Sequence, residues 1–350
     1  MAEAPLNERE HAILEAVIRT YVETAEPAGS RTVARRFRLG ISPATVRNTM
    51  SDLEEKGYLY HPHTSAGRVP TDLAYRLYVD SLMRKEELTP AERTAIRREL
   101  EQRGEGAAVE HLLRRAAQTL GLLTQELGLA IGPRLDEAAL ERLDLAPVGE
   151  ARVLLVMTLR AAGVRTIYVD VTGAIPPSTL AAVARILNER LGGLTLREIR
   201  QTIPERLRDS ASPDEPGAAE LLNVFVQSAE ELFVPPAAPE EELHLGRASV
   251  LAEQPEFASG ERLRSLIELT ERRDLLKRAL DRRPGREGLN VTIGVEHGDP
   301  ALSDFTLVTS EYRSGSLKGV IGVIGPTRMP YERVISLVES TSHLISEFLA

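Results

Sequence analysis

Between Ser30 and Met50 the chain carries Arg31, Arg35, Arg36, Arg38 and Arg47 and no Asp or Glu, a net charge of +5 in 21 residues. On charge alone such a run reads as a solvated face, so the pattern must decide. Ser42, Thr45, Arg47 and Asn48 in this stretch, and Ser51 just after it, follow one another at helical spacing. These side-chain types read nucleic acid. Asn bonds adenine bidentately, Arg bonds guanine or holds a phosphate, and Ser or Thr serves either purpose. Placed at about 100° per residue, Val46, Met50 and Leu53 cluster on one side as an inward face. Ala44, Asn48 and Ser51 fall opposite, with Thr45 and Arg47 on the flanks, and the acids Asp52, Glu54 and Glu55 are confined to the far end. A small, hydrogen-bonding, acid-free leading face suits a DNA groove. The competing reading is a small helical domain that binds protein.

Other residue sets suggest chemistry less well. His61-x-His63 offers two imidazoles in a proline-containing turn but no third ligand, so no metal is assigned. The chain has no cysteine, which excludes a disulfide framework, a thiolate zinc site and a Cys nucleophile. Gly319, Gly322 and Gly325 lie in a strand-like run that ends at Pro326 rather than between a strand and a helix start, so the phosphate-loop signal is weak. Gly315-Ser316 lacks the second half of a nucleophile elbow, and no Ser, His and Asp set stands out. No catalytic residue and no cofactor is expected.

The elements that must position the reading face can be drawn from the flanking residues. Asn7 and Glu10 form a capping box that opens a helix with Ile13, Leu14, Val17, Ile18 and Tyr21 on one face, ending near Thr24. Ser30 can cap a short second helix with Val33, Ala34 and Phe37 inward. A tight turn, Arg38 to Ile41, contains Gly40; Ser42-Pro43 then supplies an N-cap and a first helical position, and Gly57 stops the third helix. Two helices joined in this way are a helix-turn-helix. Tyr58 to His61 reads as a strand, Pro62 to Gly67 as a loop and Arg68-Val69 as the returning strand, a wing with Arg68 at its tip or return edge facing phosphate or the minor groove. Thr71 caps a closing helix. The DNA-facing residues expected are Arg31, Ser42, Thr45, Arg47, Asn48, Ser51, Gly67 and Arg68.

The whole chain has 350 residues, 42% of them hydrophobic, and a net charge of −9. That length predicts two or three cores. The acidic average argues against a general nucleic-acid coat. It divides unevenly: Met1 to Lys85 holds 12 basic and 11 acidic residues, a net of +1, and the remainder holds 31 and 41, a net of −10. No apolar run approaches the roughly 18 residues that span a bilayer, and the start, MAEAPLNERE, lacks signal-peptide order. A soluble, cytoplasmic protein with no membrane partner is expected.

Ile41 to Met83, ISPATVRNTMSDLEEKGYLYHPHTSAGRVPTDLAYRLYVDSLM, resembles the winged-helix region of the HrcA family of heat-inducible transcription repressors. Gly319 to Glu339 resembles that family's closing segment, and Leu145 to Leu159 its central strand. The resemblance implies a dimeric repressor that binds an inverted-repeat operator, CIRCE, upstream of chaperone operons, with activity modulated by the GroE chaperonin. It also implies a GAF-like central domain with an inserted dimerising domain. Ser42, Thr45, Arg47, Asn48, Gly67 and Arg68 match the family's DNA-facing region.

Downstream, Thr89-Pro90 could start a linking helix, and Leu112, Leu113, Ala116, Leu120, Leu123 and Leu127 make a helical face ending near Gly128. Arg152 to Leu159 and Arg165 to Val171 read as a hairpin, Pro177 to Leu191 as a helix, and Leu289 to Val295, Phe305 to Tyr312 and Leu317 to Ile324 as strands before a long helix from Tyr331. The fold class is therefore α+β, with a winged helix-turn-helix over residues 1–88; the resemblance implies that 89–200 and 286–350 form a discontinuous GAF-like domain and that the inserted helical domain over 201–285 dimerises. In that insertion, loops at Asp209 to Gly217 and Pro235 to Glu242 accompany two amphipathic helices, Ala218 to Phe233 and Glu261 to Arg283; the competing reading is a helical cap packed only within the monomer. A rival function, a small-molecule-responsive regulator sensing a ligand in the GAF-like domain, keeps the DNA-binding region. An enzyme with an appended DNA-binding region lacks a converging nucleophile, base and oxyanion group.

Overall fold

The computed structural model describes residues 6–63, 66–101, 108–133, 135–160, 162–208, 217–233, 243–281 and 288–349. Helix α1 (Glu8–Thr24) opens on the Asn7/Glu10 capping box, in which the Asn7 side chain accepts from the Glu10 amide at 3.0 Å and the Glu10 carboxylate from the Asn7 amide at 2.9 Å. It closes on Ala25, left-handed at φ 56°. Helix α2 (Ser30–Arg36) is capped by Gly29 and not by Ser30, because the extended backbone ends at Gly29 and Ser30 is already helical. The connection to α3 (Pro43–Glu55) uses two left-handed residues, Gly40 as expected and Arg38, φ 47°, against expectation. Ser42 caps α3, and Val46, Thr49, Met50 and Leu53 are its buried residues.

Strands β1 (Leu59–Tyr60) and β2 (Val69–Pro70) pair antiparallel, Leu59 with Pro70 and Tyr60 with Val69. The hairpin is shorter than expected, because the Arg68 backbone is taken by Ala28, whose amide donates to the Arg68 carbonyl at 2.8 Å and whose carbonyl accepts from the Arg68 amide at 3.0 Å. Thr64 and Ser65 of the connecting loop lie outside the described residues. Helix α4 (Asp72–Leu77), capped by Thr71, continues into a π-helical turn, Tyr78–Leu82.

Along the rest of the chain follow α5 (Pro90–Glu101), α6 (Ala108–Thr124), β3 (Leu127–Ile131), β4 (Leu140–Pro147), β5 (Arg152–Leu159), β6 (Gly163–Asp170), α7 (Pro177–Leu191), α8 (Leu196–Leu207), α9 (Ala218–Gln227) and α10 (Ala229–Leu232). Then come β7 (Leu243–Leu245), α11 (Ser249–Ala252), α12 (Gly260–Glu271), α13 (Arg273–Asp281), β8 (Asn290–Ile293), β9 (Phe305–Ser314), β10 (Leu317–Pro326) and α14 (Tyr331–Phe348). Helices and antiparallel sheets make the expected α+β mixture.

These elements form two compact units, Met1–Gly132 with Glu240–Tyr312 and Val320–Glu347, and Pro133–Pro239 with Arg313–Gly319 and Phe348–Ala350. The first holds a five-stranded sheet in the order β7-β3-β10-β9-β8. Alternation along β9 sends Phe305 and Leu307 into a core with Leu266 and Leu269 of α12 and Leu275 and Leu276 of α13. It turns Thr306 and Ser310 toward α14, where they meet the Tyr331 hydroxyl at 3.1 Å and the Ser342 hydroxyl at 2.9 Å. Helix α6 lies directly on β3 at Gly128, where a Cβ would stand 1.8 Å from the Ala117 carbonyl oxygen. The second unit is a three-stranded antiparallel sheet, β4-β5-β6. Val153, Leu155 and Met157 share its core with Leu180, Val183 and Ile186 of α7, Ile199 and Ile203 of α8 and Leu221 and Phe225 of α9.

This division departs from the expected boundaries. The strands of 152–171 and 289–324, expected in one discontinuous GAF-like domain, stand in separate sheets. Helices α9 and α12, expected in one insertion over 201–285, serve separate cores, because their apolar faces meet different sheets. The expected helices also break, at Ser228 (ψ 14°) and at Arg272 (ψ 66°). Leu127 begins a strand and not the end of a helix, since left-handed Gln125 (φ 61°) reverses the chain after α6. Residues 209–216 and 234–242 of the expected loops lie outside the described residues.

Candidate nucleic-acid interface

The leading end of α3 presents the residues singled out for base reading. Ser42 Oγ accepts from the Thr45 amide at 3.1 Å and stands 3.0 Å from the Thr45 hydroxyl, so the cap holds both hydroxyls at the helix start. Arg47 and Asn48 are exposed, while Val46, Met50 and Leu53 anchor the opposite side at 0–3% exposure. Ser51 is half-buried and its hydroxyl donates to the Arg47 carbonyl at 3.3 Å. Arg31 is exposed in the first turn of α2. The structure thus brings Ser42, Thr45, Arg47 and Asn48 onto one accessible surface.

No acid stands in the first turn of α3, where the helix dipole and free amides favour an anion. Arg36 pairs with Glu23. Among the described residues Arg31, Arg35, Arg38 and Arg47 have no ion-pair partner, which leaves their charge for phosphate.

Arg68 is placed differently from a free wing-tip cation. Its side chain is 11% exposed, and its guanidinium bonds Glu54 at 2.7 Å, His61 Nδ1 at 2.7 Å and Ser51 Oγ at 3.4 Å. It ties the hairpin to the far end of α3. Because a guanidinium only donates, His61 Nδ1 is the acceptor, and one of the two ring nitrogens is occupied. Gly67 is needed for contact: a Cβ there would lie 2.5 Å from the Ala28 carbonyl carbon and oxygen.

Sequence reasoning missed the residues that fix this assembly. Lys56 bonds the buried Glu10 at 2.7 Å, joining α3 to α1 across 46 positions. That hydrogen bond, with the Asn7 amide, holds the Glu10 carboxyl below its ordinary range despite burial. In the same unit Arg328 pairs with Glu256 and donates to the Val22 carbonyl, and Asp72 accepts from the Val295 amide at 3.0 Å. Arg76 pairs with Glu296 and donates to the Val291 carbonyl at 2.7 Å.

Residues 110–335 match the family described as HrcA protein C terminal domain. A protein of Chlorobium phaeobacteroides (strain BS1) named heat-inducible transcription repressor HrcA is 39% identical over 354 residues, covering 99% of each chain. Another of that name, from Chlorobaculum tepidum, is 38% identical over 354 residues, covering 98% of this chain and 97% of its own. The chain belongs to the HrcA family. The match to this HrcA family extends through the N-terminal elements, since those alignments span nearly the full chain. A solved structure described only as a hypothetical protein shares the fold, with a TM-score of 0.56 at 24% identity over 99% of both chains. Among the described residues of this HrcA family member, no helix is long and apolar enough to cross a membrane.

Proposed function

We propose that this protein is a non-enzymatic, cytoplasmic transcription repressor of heat-shock chaperone operons. Residues 1–88 act as a winged helix-turn-helix whose α3 enters the major groove of double-stranded DNA. The observation that carries this reading is the acid-free surface of exposed Ser42, Arg47 and Asn48 and half-buried Thr45 on a helix anchored by Val46, Met50 and Leu53. Asn48 and Arg47 read base edges; Arg31 holds phosphate; Ser42, Thr45 and Ser51 set register; Gly67 seats the wing on Ala28 and Arg68 ties it to α3.

An inverted-repeat operator such as CIRCE calls for a two-fold dimer. The unit spanning 133–239 supplies a surface for one. The edge of β4 is covered by Asn188, which accepts from the Leu143 amide at 2.8 Å and donates to its carbonyl at 2.6 Å. β6 forms the other edge and pairs only with β5 among the described strands. Val164 and Tyr168, 65% and 63% exposed, share a face with half-buried Leu154 and Val156. A second copy adding its β6 antiparallel would cover this apolar face and extend the sheet. Modulation by the GroE chaperonin rests on the family resemblance alone.

Binding to the inverted repeat and to scrambled DNA, at one stated salt concentration and with and without chaperonin, tests the reading. Arg47→Ala and Asn48→Ala should each lose about 1–3 kcal/mol of discrimination while leaving the oligomeric state unchanged. Equal losses on both DNAs would remove the assignment of base readout to α3.

A further inference from the structure

In a chain with 8 Tyr, 6 Phe and no Trp, five aromatic side chains converge on one cavity of about 170 Å³: Tyr21, Tyr60, Tyr75, Phe257 and Phe305. Tyr21 comes from α1, Tyr60 from β1 and Tyr75 from α4; Phe257 precedes α12, and Phe305 opens β9. The cavity is graded. Tyr75, Phe257 and Phe305 are buried at its floor, whereas Arg262, Ser265 and Asp304 are exposed at its mouth.

Three features define what would fit. A cavity of this size suits one ring, since an apolar one on the order of 150 Å³ takes up benzene. The Tyr75 hydroxyl is buried and has no hydrogen-bond partner among the described residues, although a buried donor is costly to leave unmade. Burial pushes that phenol far above its ordinary range, so it stays protonated and donates. The charges of the wall cancel: Arg328 is paired with Glu256, and Arg262 and Asp304 oppose one another in sign at the rim. Neither a cation nor an anion is favoured.

We propose that this cavity is a small-molecule site for an uncharged, single-ring aromatic compound carrying a hydrogen-bond acceptor, its ring among the tyrosines and its acceptor on the Tyr75 hydroxyl. The site is separate from the reading face of α3, and its walls come from both ends of the chain, so an occupant holds α1, the hairpin and α4 to the strands and α12.

The test is a titration of the full chain with benzamide, followed by protein NMR, beside benzoate and benzylammonium as charged analogues of similar size. Benzamide should bind saturably at one site and more tightly than either analogue. Tyr75→Phe keeps the ring and the fold and should weaken benzamide about fivefold, the worth of one neutral hydrogen bond. Ser265→Trp, a change at an exposed position on the rim, should abolish binding. No saturable binding up to the probe's solubility limit would mean that water alone fills the cavity and would overturn the proposal. So would unchanged affinity in both variants, or equal binding of a charged analogue.

Discussion

Individual residues divide sharply into those whose placement could be read from type and spacing and those whose placement needed three dimensions. Asn48 and Arg47 were legible because a helix of 13 residues repeats its faces, so the buried Val46, Met50 and Leu53 dictate what points away. Arg68 was not legible: its partners Glu54, His61 and Ser51 lie 7 to 17 positions away, on α3 and just after β1, and nothing in their spacing marks them as neighbours. Gly67 was assigned to the DNA-facing set, yet its physical demand comes from the Ala28 backbone. Gly67→Ala should therefore cost about 1–3 kcal/mol of stability by overpacking, read as a lower midpoint in urea unfolding. A variant as stable as the parent would show that the Ala28 contact is loose.

Glu10 gives a second residue-level expectation. Its carboxyl is held below the ordinary carboxylate range by Lys56 and by the Asn7 amide in the folded chain. A depressed folded pKa means that the ionised form is favoured by folding. The resulting stability is present above the unfolded pKa and is lost as pH falls through the folded one. Glu10→Gln should thus be less stable than the parent near neutral pH, by on the order of 1 kcal/mol, with the gap closing in acid. Unfolding curves at neutral and acidic pH check it, and a gap that stayed constant would remove the Lys56 contact as its cause.

At the scale of elements, periodicity and caps made the long helices and the β5–β6 hairpin legible, and α7 spans the expected Pro177 to Leu191. Short strands were not. β7 is three residues long, and β3 opens on Leu127, which continues the helical apolar series of α6 and is redirected only by the left-handed Gln125. Helix α3 allows capping and groove contact to be separated, because Ser42 serves both. Ser42→Ala should lose the cap, about 1 kcal/mol, and weaken operator binding. Ser42→Asp restores a cap acceptor and suits the helix dipole, but sets a carboxylate against phosphate. It should recover thermal stability while binding operator more weakly than Ser42→Ala does. Recovery of both would place the start of α3 away from DNA.

For the whole molecule, the division into units was the least legible feature, since both bodies are leucine-rich mixtures of helix and antiparallel strand and only tertiary pairing tells which sheet a segment joins. That division bears on how a chain of net charge −9 binds DNA selectively. Its basic surface is small, so one copy makes few phosphate contacts, and under the proposed two-fold arrangement the affinity comes from two copies engaging two half-sites at once. Substituting Val164 and Tyr168 together by Lys puts like charges on the open β6 edge, where two copies would oppose each other, without touching the buried Val153, Leu155 and Met157 face. The variant should sediment as a folded monomer and lose operator affinity by about 100-fold or more, the avidity of a second site. Its affinity for a single half-site should equal the parent's, because α3 is unchanged. A dimer that persists in the double variant would move the two-fold contact off β6, whereas a monomer with full operator affinity would remove the need for one.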